Sequence, residues 1–322
     1  MPRKIDISHR TIVFIAVFIV SLWIIFLIRD LLLILFVGLI LMSALTPMVN
    51  TLAKLKLPKV LSIAITYIII IALLAAVLIG IFPPFIEQSS RLIVTLPRLM
   101  AHFFNIANID KSVFQSELGN LSKSLFSITI NVFDHFLTMI FLLVLTFYLL
   151  LERDNLESRV AALFVGKETR VRNLIIHIQE KLGAWLRGQL LLSIIIGVSS
   201  YVGLTILNIP YALPLALFAG IMEVVPVIGP IISALPAMLI ALTISPWLSL
   251  GVAAMFFVIQ QLENHLIVPQ IMKRAVGLNP LVVILAIAIG SRLLGFAGAL
   301  LAVPIAVVIQ IIVTEVIEGR KI

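Results

Sequence analysis

The sequence predicts an all-α polytopic membrane protein with about eight transmembrane helices, a re-entrant helical hairpin and amphipathic helices outside the bilayer. Three observations predict it. Of 322 residues, 62% are hydrophobic and only 12% charged, about half the roughly 25% of an ordinary soluble domain. Most of the chain lies in uncharged runs near or beyond the about 20 apolar residues that cross about 30 Å of hydrocarbon. The 23 Lys and Arg outnumber the 15 Asp and Glu to give a formal charge of +8. They fall in short segments between the apolar runs, which is a positive-inside bias rather than a nucleic-acid-binding face.

Residues 11–28 and 31–53 form the first two runs, parted only by Arg29 and Asp30. As one helix they would overrun a bilayer, so a tight helical hairpin is expected. No small-residue cleavage pattern follows the first run, which therefore reads as a mature helix and not a cleavable signal. The third run, 60–86, ends at Pro83 and Pro84, so helices 1–3 occupy residues 1–82. Residues 83–135 carry balanced charge. Apolar residues recur there at helical spacing, first Ile93, Leu96, Met100 and Phe103, then Phe114, Leu118, Leu121, Leu125 and Ile128. Two amphipathic helices in a periplasmic segment are expected.

Residues 136–152 are the fourth transmembrane helix. Residues 153–187 carry seven Lys or Arg, with Val171, Leu174, Ile175, Ile178, Leu182 and Trp185 on one helical face. This is a cytoplasmic amphipathic helix, which either lies on its own protein or the bilayer surface, or contacts another subunit. The uncharged runs 188–222 and 224–262, of 35 and 39 residues, are each too long for one span and must turn. Asn208, Ile209 and Pro210 break the first, and Ser245 and Pro246 the second. The C-terminal bundle, 188–322, thus contains a re-entrant hairpin at 211–243 and closes with runs 281–290 and 293–314. Arg3, Lys4 and Arg10 at one end, Arg320 and Lys321 at the other, and the Lys54, Lys56, Lys59 loop place both termini in the cytoplasm.

The chain has no Cys, which excludes disulfides, thiolate metal sites and a cysteine nucleophile. Val165-Gly166-Lys167-Glu168 is the nearest approach to a phosphate-binding loop and is not one. The five histidines form no His-Glu-x-x-His, and no Gly-x-Ser-x-Gly occurs, so neither a metalloprotease nor a serine hydrolase is indicated. No enzyme, catalytic residue, cofactor, metal or nucleic-acid partner is expected.

The chemistry-bearing residues cluster late in the chain. Glu223, Pro226, Gly229 and Pro230 stand together in apolar sequence, flanked by Pro214 and Pro236. A helix broken in the membrane needs partners for its freed backbone groups, and secondary transporters use such ends to hold solute and ions. A carboxylate at mid-membrane costs about 2.5–3.5 kcal/mol on insertion scales, so Glu223 either has a role or sits solvated at the interface. Gln260, Gln261, Glu263 and Asn264 form a second polar group, in which Gln260, Glu263 and Asn264 share one helical face. That face lines a pathway or ends a helix in the cytoplasm. Arg292 pairs with a membrane acid or sits among headgroups. Gly295 and Gly298 supply a small-residue surface for helix packing near Pro304.

The run 223–230, then 260–264, 268–272 (Val-Pro-Gln-Ile-Met), 276–280 (Val-Gly-Leu-Asn-Pro) and 295–304 (Gly-Phe-Ala-Gly-Ala-Leu-Leu-Ala-Val-Pro), is similar to the autoinducer-2 exporter family of bacterial inner-membrane transporters. Phe147-Tyr148-Leu149-Leu150 before Arg153-Asp154, and Arg187-Gly188-Gln189, fit the same pattern over essentially the whole chain. Arg292 departs from it, where a small or apolar residue is expected. The resemblance implies eight helices, cytoplasmic termini and a homo-oligomer, with a pentamer among the forms it allows. It implies secondary transport, either export of a furanosyl quorum-sensing signal or exchange of sodium or lithium for protons.

The resulting expectation is a secondary transporter that exports a small polar solute across the bacterial inner membrane. Gln260, Gln261, Asn264 and the backbone at 226–230 hydrogen-bond the solute, and Glu223 and Glu263 carry a proton or monovalent cation. The alternatives are a sodium(lithium)/proton antiporter using the same acids and a non-transporting membrane scaffold. The partners are the lipid bilayer, the solute or cation with a proton, and copies of the chain.

Overall fold

In the computed structural model, described for residues 9–107, 111–226, 228–272 and 277–318, every regular element is helical. The elements are α1 (His9–Leu27), α2 (Arg29–Ala53), α3 (Lys59–Ala107), α4 (Lys111–Ala162), α5 (Glu168–Ile206), α6 (Ala212–Met222), α7 (Ile228–Ile244) and α8 (Pro246–Leu262). A π-helical turn, Glu263–Ile267, leads into α9 (Val268–Met272), and α10 (Pro280–Glu318) closes the chain. Five stretches are long and apolar enough to cross a membrane: Arg29–Ala53, Lys59–Gln88, Glu168–Ile206, Pro246–Met272 and Pro280–Glu315. Val13–Leu27, Ala212–Met222 and Ile228–Ile244 are shorter apolar helices. The molecule is an all-helical, multi-pass membrane protein.

The breaks expected at Pro210 and at Pro246 are present. α5 stops at Ile206 and α6 starts at Ala212, on either side of Asn208 and Pro210. α7 gives way to α8 at Ser245, whose side chain accepts a hydrogen bond from the Trp247 N–H while Pro246 occupies the first helical position. There a missing N–H costs nothing and φ is already set.

Three other expectations give way. α1 and α2 do not fold back as a hairpin. Ile28 N–H donates to Ile24 and Leu32 N–H to Ile28, so the helical ladder carries through the junction. Arg29 and Asp30 are charged but neither is a helix breaker, and no Gly or Pro stands there to reverse the chain. α3 continues through Pro83 and Pro84 instead of ending there, as apolar helices can when neighbours and small adjustments satisfy the freed carbonyls. The outer helices are therefore extensions of α3 and α4, which reach 49 and 52 residues, with their junction at 108–110 outside the described residues. The side chains named there, from Ile93 to Ile128, also lie outside them. Likewise the expected cytoplasmic helix is the first half of the 39-residue α5, and its apolar face is covered by this chain. Leu182 and Trp185 pack with Ile40 of α2 and with Leu301 and Val303 of α10.

α5 is the central post, in contact with α2, α4, α6, α8, α9 and α10. Its C-terminal half closes a core with the α6–α7 hairpin and α8, built on Leu204, Leu215, Ala219, Ala237, Ile240, Val252 and Phe256. A separate core joins Met42 and Val49 of α2, Ile63 of α3 and Leu149 and Leu150 of α4. α2 is also pinned by a polar contact. Pro47 has no N–H to offer the Ser43 carbonyl four residues back, and Arg187 of α5 donates from Nη1 to Ser43 O at 3.3 Å and Ala44 O at 3.0 Å.

Candidate functional site

α6 has 11 residues, so it rises only about 16 Å and cannot cross the hydrocarbon alone. Its end is fixed by the turn that follows. Val224 and Val225 N–H groups donate back to Ile221 and Met222, and Gly229 N–H donates to Val225. The turn is tight because residue 229 has no side chain: a Cβ there would stand 2.0 Å from the Met222 carbonyl oxygen. Pro226 precedes this contact. Pro230 is buried and its carbonyl accepts from the Ser233 hydroxyl at 2.9 Å.

Glu223 caps α6 at this turn with 1% of its surface exposed. Gln189 of α5, itself buried, donates from Nε2 to the Glu223 carbonyl at 2.7 Å. That carbonyl is among the last of a helix, which find no partner inside it. Sequence reasoning placed Gln189 only in a motif and gave it no role. The available signal was an amide in an uncharged run, since a polar group in lipid needs a protein partner.

Glu263 comes from the other side, at the first position of the π-helical turn that ends α8, and is 4% exposed. Val268 N–H donates to Glu263 O across the widened turn, and Pro269, which has no N–H, follows. Insertions of this kind concentrate at functional sites because they re-aim a side chain without ending the helix. Gln260 donates from Nε2 to Glu263 Oε2 at 3.1 Å and reaches Asn264 Oδ1 at 3.5 Å. The three residues expected on one face do meet. Gln261 is exposed and contributes its backbone carbonyl, which accepts from His265 Nδ1 at 3.0 Å.

The fold brings the two acids together: the Glu223 and Glu263 carboxyls lie within hydrogen-bonding reach of each other. No Lys, Arg or His is in ion-pair distance of either among the described residues. Glu223 Oε2 is buried with no hydrogen-bond donor. Two carboxyls so placed can share one proton or hold one small cation between them, and they can exchange one for the other.

α10 covers this turn. It is two helical arms folded at Leu294 and Gly295, where Gly295 has φ +61° and ψ −139°, a conformation open to glycine. The arms touch at Gly290 and Gly298, where a Cβ on either would fall within 2.3 Å of the other's carbonyl oxygen. The packing role expected of Gly295 thus passes to Gly290, with Gly298 as its partner, and Gly295 turns the chain. Ile287, Ala299 and Ala302 of the two arms pack on Val225, and Pro304 is buried in the second arm. Arg292 is exposed beside the fold and pairs with no acid among the described residues.

The family model described as AI-2E family transporter matches residues 12–318. The chain is 30% identical over 285 residues to YrrI of Bacillus subtilis, provisionally named a transport protein, covering 82% of this chain and 80% of that one. It is 27% identical over 303 residues to YueF of the same organism, named in the same way, covering 85% and 81%. To the AI-2 transport protein TqsA of Escherichia coli it is 25% identical over 289 residues, covering 86% and 84%. The polar turn, the buried acids and the folded C-terminal helix all lie inside the matched span, and the chain belongs to the AI-2E family of transporters.

Proposed function

We propose that the protein is a secondary transporter that exports a small polar solute, an autoinducer-2-like signal, across the bacterial inner membrane. The Glu223 and Glu263 pair carries the coupling proton or monovalent cation. The observation that supports this most is the pair itself: two buried acids, from the α6–α7 turn and the π-helical turn, within hydrogen-bonding reach of each other and without a basic partner among the described residues. Burying even one carboxylate in hydrocarbon is costly, and a packed apolar pair would serve a purely structural turn better. Gln260 and Asn264 stand beside the acids, where they can hydrogen-bond solute. Both termini are read as cytoplasmic from the basic residues nearest them, Arg3, Lys4 and Arg10 at one end and Arg320 and Lys321 at the other. The exposed apolar side chains of α1 between Val13 and Leu27 suit contact with lipid or with copies of the chain in a homo-oligomer.

Efflux from proteoliposomes tests the reading, with labelled signal inside and proton and sodium gradients imposed one at a time. Wild type releases the signal faster under one of the gradients, and Glu223→Gln and Glu263→Gln lose that acceleration. A second reading, a sodium(lithium)/proton antiporter, is favoured by the same acid pair. It is the outcome if protons move only with sodium and the signal stays inside.

A further inference from the structure

The π-helical turn Glu263–Ile267 joins α8 to α9, and Pro269 explains why it is there. In a continuing α-helix a proline ring meets the carbonyl four residues back, which here is that of His265. Widening the preceding turn moves that carbonyl away, and Val268 N–H donates five residues back, to Glu263 O. The widened turn then decides which way the residues on either side of it face.

An α-helix advances about 100° per residue, so an unbroken one would place Ile271 about 80° and Met272 about 180° round from Glu263. A π turn takes up one residue more than an α turn, which subtracts one step. Ile271 then falls within about 20° of Glu263, and Met272 within about 80°. The contacts match this second phase. Glu263 is 4% exposed and within reach of Glu223. Ile271 and Met272 lie on Gly188 of α5, where a Cβ would stand 3.2 Å from Ile271 Cγ2 and 3.0 Å from Met272 Sδ. Met272 also packs against the core of Leu182 and Trp185. Gly188 adjoins Gln189, whose amide holds the Glu223 carbonyl, so α9 is docked beside the acid pair.

We propose that Pro269 is a positioning residue of the acid pair. It holds the helix in the register in which Glu263 points inward while α9 stays docked on α5, and the docked α9 keeps water from both carboxyls. The proposal rests on the coupling reading of Glu223 and Glu263 and adds the residue that aims and shields them. Of the two segments joined by the turn, α9 is the one that yields. α8 sends Val252 and Phe256 into the core, whereas α9 has no buried residue. In Pro269→Ala the α register closes and α9 turns by about 100°, which carries Met272 off Gly188.

Two labels on the full chain in lipid nanodiscs test the proposal. A water-soluble carbodiimide with glycine ethyl ester, followed by mass spectrometry of the Glu223 and Glu263 peptides, reads the access of water to the acids. The natural chain has no Cys, so a nitroxide attached through Met272→Cys reports the docking of α9 by its mobility. Pro269→Ala is expected to speed modification of both glutamates at least ten-fold and to shorten the nitroxide correlation time at least three-fold. Deleting Leu266 in the same variant removes the residue that the π turn absorbs. An α-helix then brings Ile271 back to within about 20° of Glu263, and both readings should return to wild-type values. A merely structural proline would not be mended by a deletion. Wild-type values for either label in Pro269→Ala, or a deletion that fails to restore them, overturn the proposal. Neither label depends on transport: if both behave as expected while wild type shows no coupled flux, the coupling reading fails and the register stands.

Discussion

Gln189→Met asks whether the turn that carries Glu223 is held from α5. Gln189 is 3% exposed and its Nε2 lies 2.7 Å from the Glu223 carbonyl oxygen. Met keeps the length of the side chain and fills the same space, but it has no donor. Among the described residues no backbone N–H donates to that carbonyl, so the substitution leaves a buried acceptor unsatisfied. The cost is about 1–3 kcal/mol, which is a factor of about 5 to 150 in the equilibrium between the ordered turn and its opened forms. Amide hydrogen exchange reads that equilibrium locally. The amides of Val224, Val225 and Gly229 should exchange faster by that factor, with those of α2 unchanged, and ion-coupled flux should fall in parallel. Unchanged protection across 222–229 would refute the claim that Gln189 positions the acid.

Four further outcomes are expected. Glu223→Gln should melt no lower than wild type while losing coupled flux, because it replaces a buried carboxyl whose Oε2 has no donor and which faces another acid; a large drop in melting temperature would instead make Glu223 structural. Gly229→Ala should cost at least about 1–3 kcal/mol in thermal unfolding, since its Cβ would meet Met222 O at 2.0 Å; wild-type stability would contradict the tight turn. Arg187→Met should cost about 1.5 kcal/mol, and less when Pro47→Ala returns a donor to Ser43 O, so a double-mutant cycle that is additive within about 0.3 kcal/mol would sink the pairing. On the loop side of the fold, Lys59 donates to Asp154 Oδ2 at 2.8 Å and, as the largest cause, holds that carboxyl below its usual range. The pair's contribution is present above the ordinary Asp value near pH 4 and is lost as pH falls through the lower folded value. With the Asp154 side chain 69% exposed, it is worth at most about 0.2–1 kcal/mol. Lys59→Met should therefore differ from wild type in melting temperature at pH 7 and match it at pH 2.

Backbone chemistry written into single residues was legible. Pro210, Pro246 and the Pro226, Gly229, Pro230 group mark real breaks because a missing N–H or a crowded carbonyl acts at the residue that carries it, whereas Pro83 and Pro84, read the same way, are carried through inside α3. Length was a poorer guide. The rule that a span fits one bilayer implied a turn at Arg29 and Asp30, but nothing in those side chains breaks a helical ladder, and none forms there. Spacing put Gln260, Glu263 and Asn264 on one face correctly. It could not show that Glu223 meets Glu263, because that contact is made by two separate turns brought together through α7 and α8. Gln189 and Gly290 escaped for a related reason. Each is defined by a carbonyl elsewhere in the chain, that of Glu223 for one and that of Gly298 for the other.

Proton movement coupled to solute movement tests the central claim most directly. Proteoliposomes holding the full chain and a luminal pH-sensitive dye are given an outward gradient of the signal, with no ion gradient imposed. Wild type should change the luminal pH as the signal leaves, and Glu223→Gln should exchange labelled signal without any pH change. A pH change of wild-type size in Glu223→Gln would contradict the assignment of the acid pair as the coupling site.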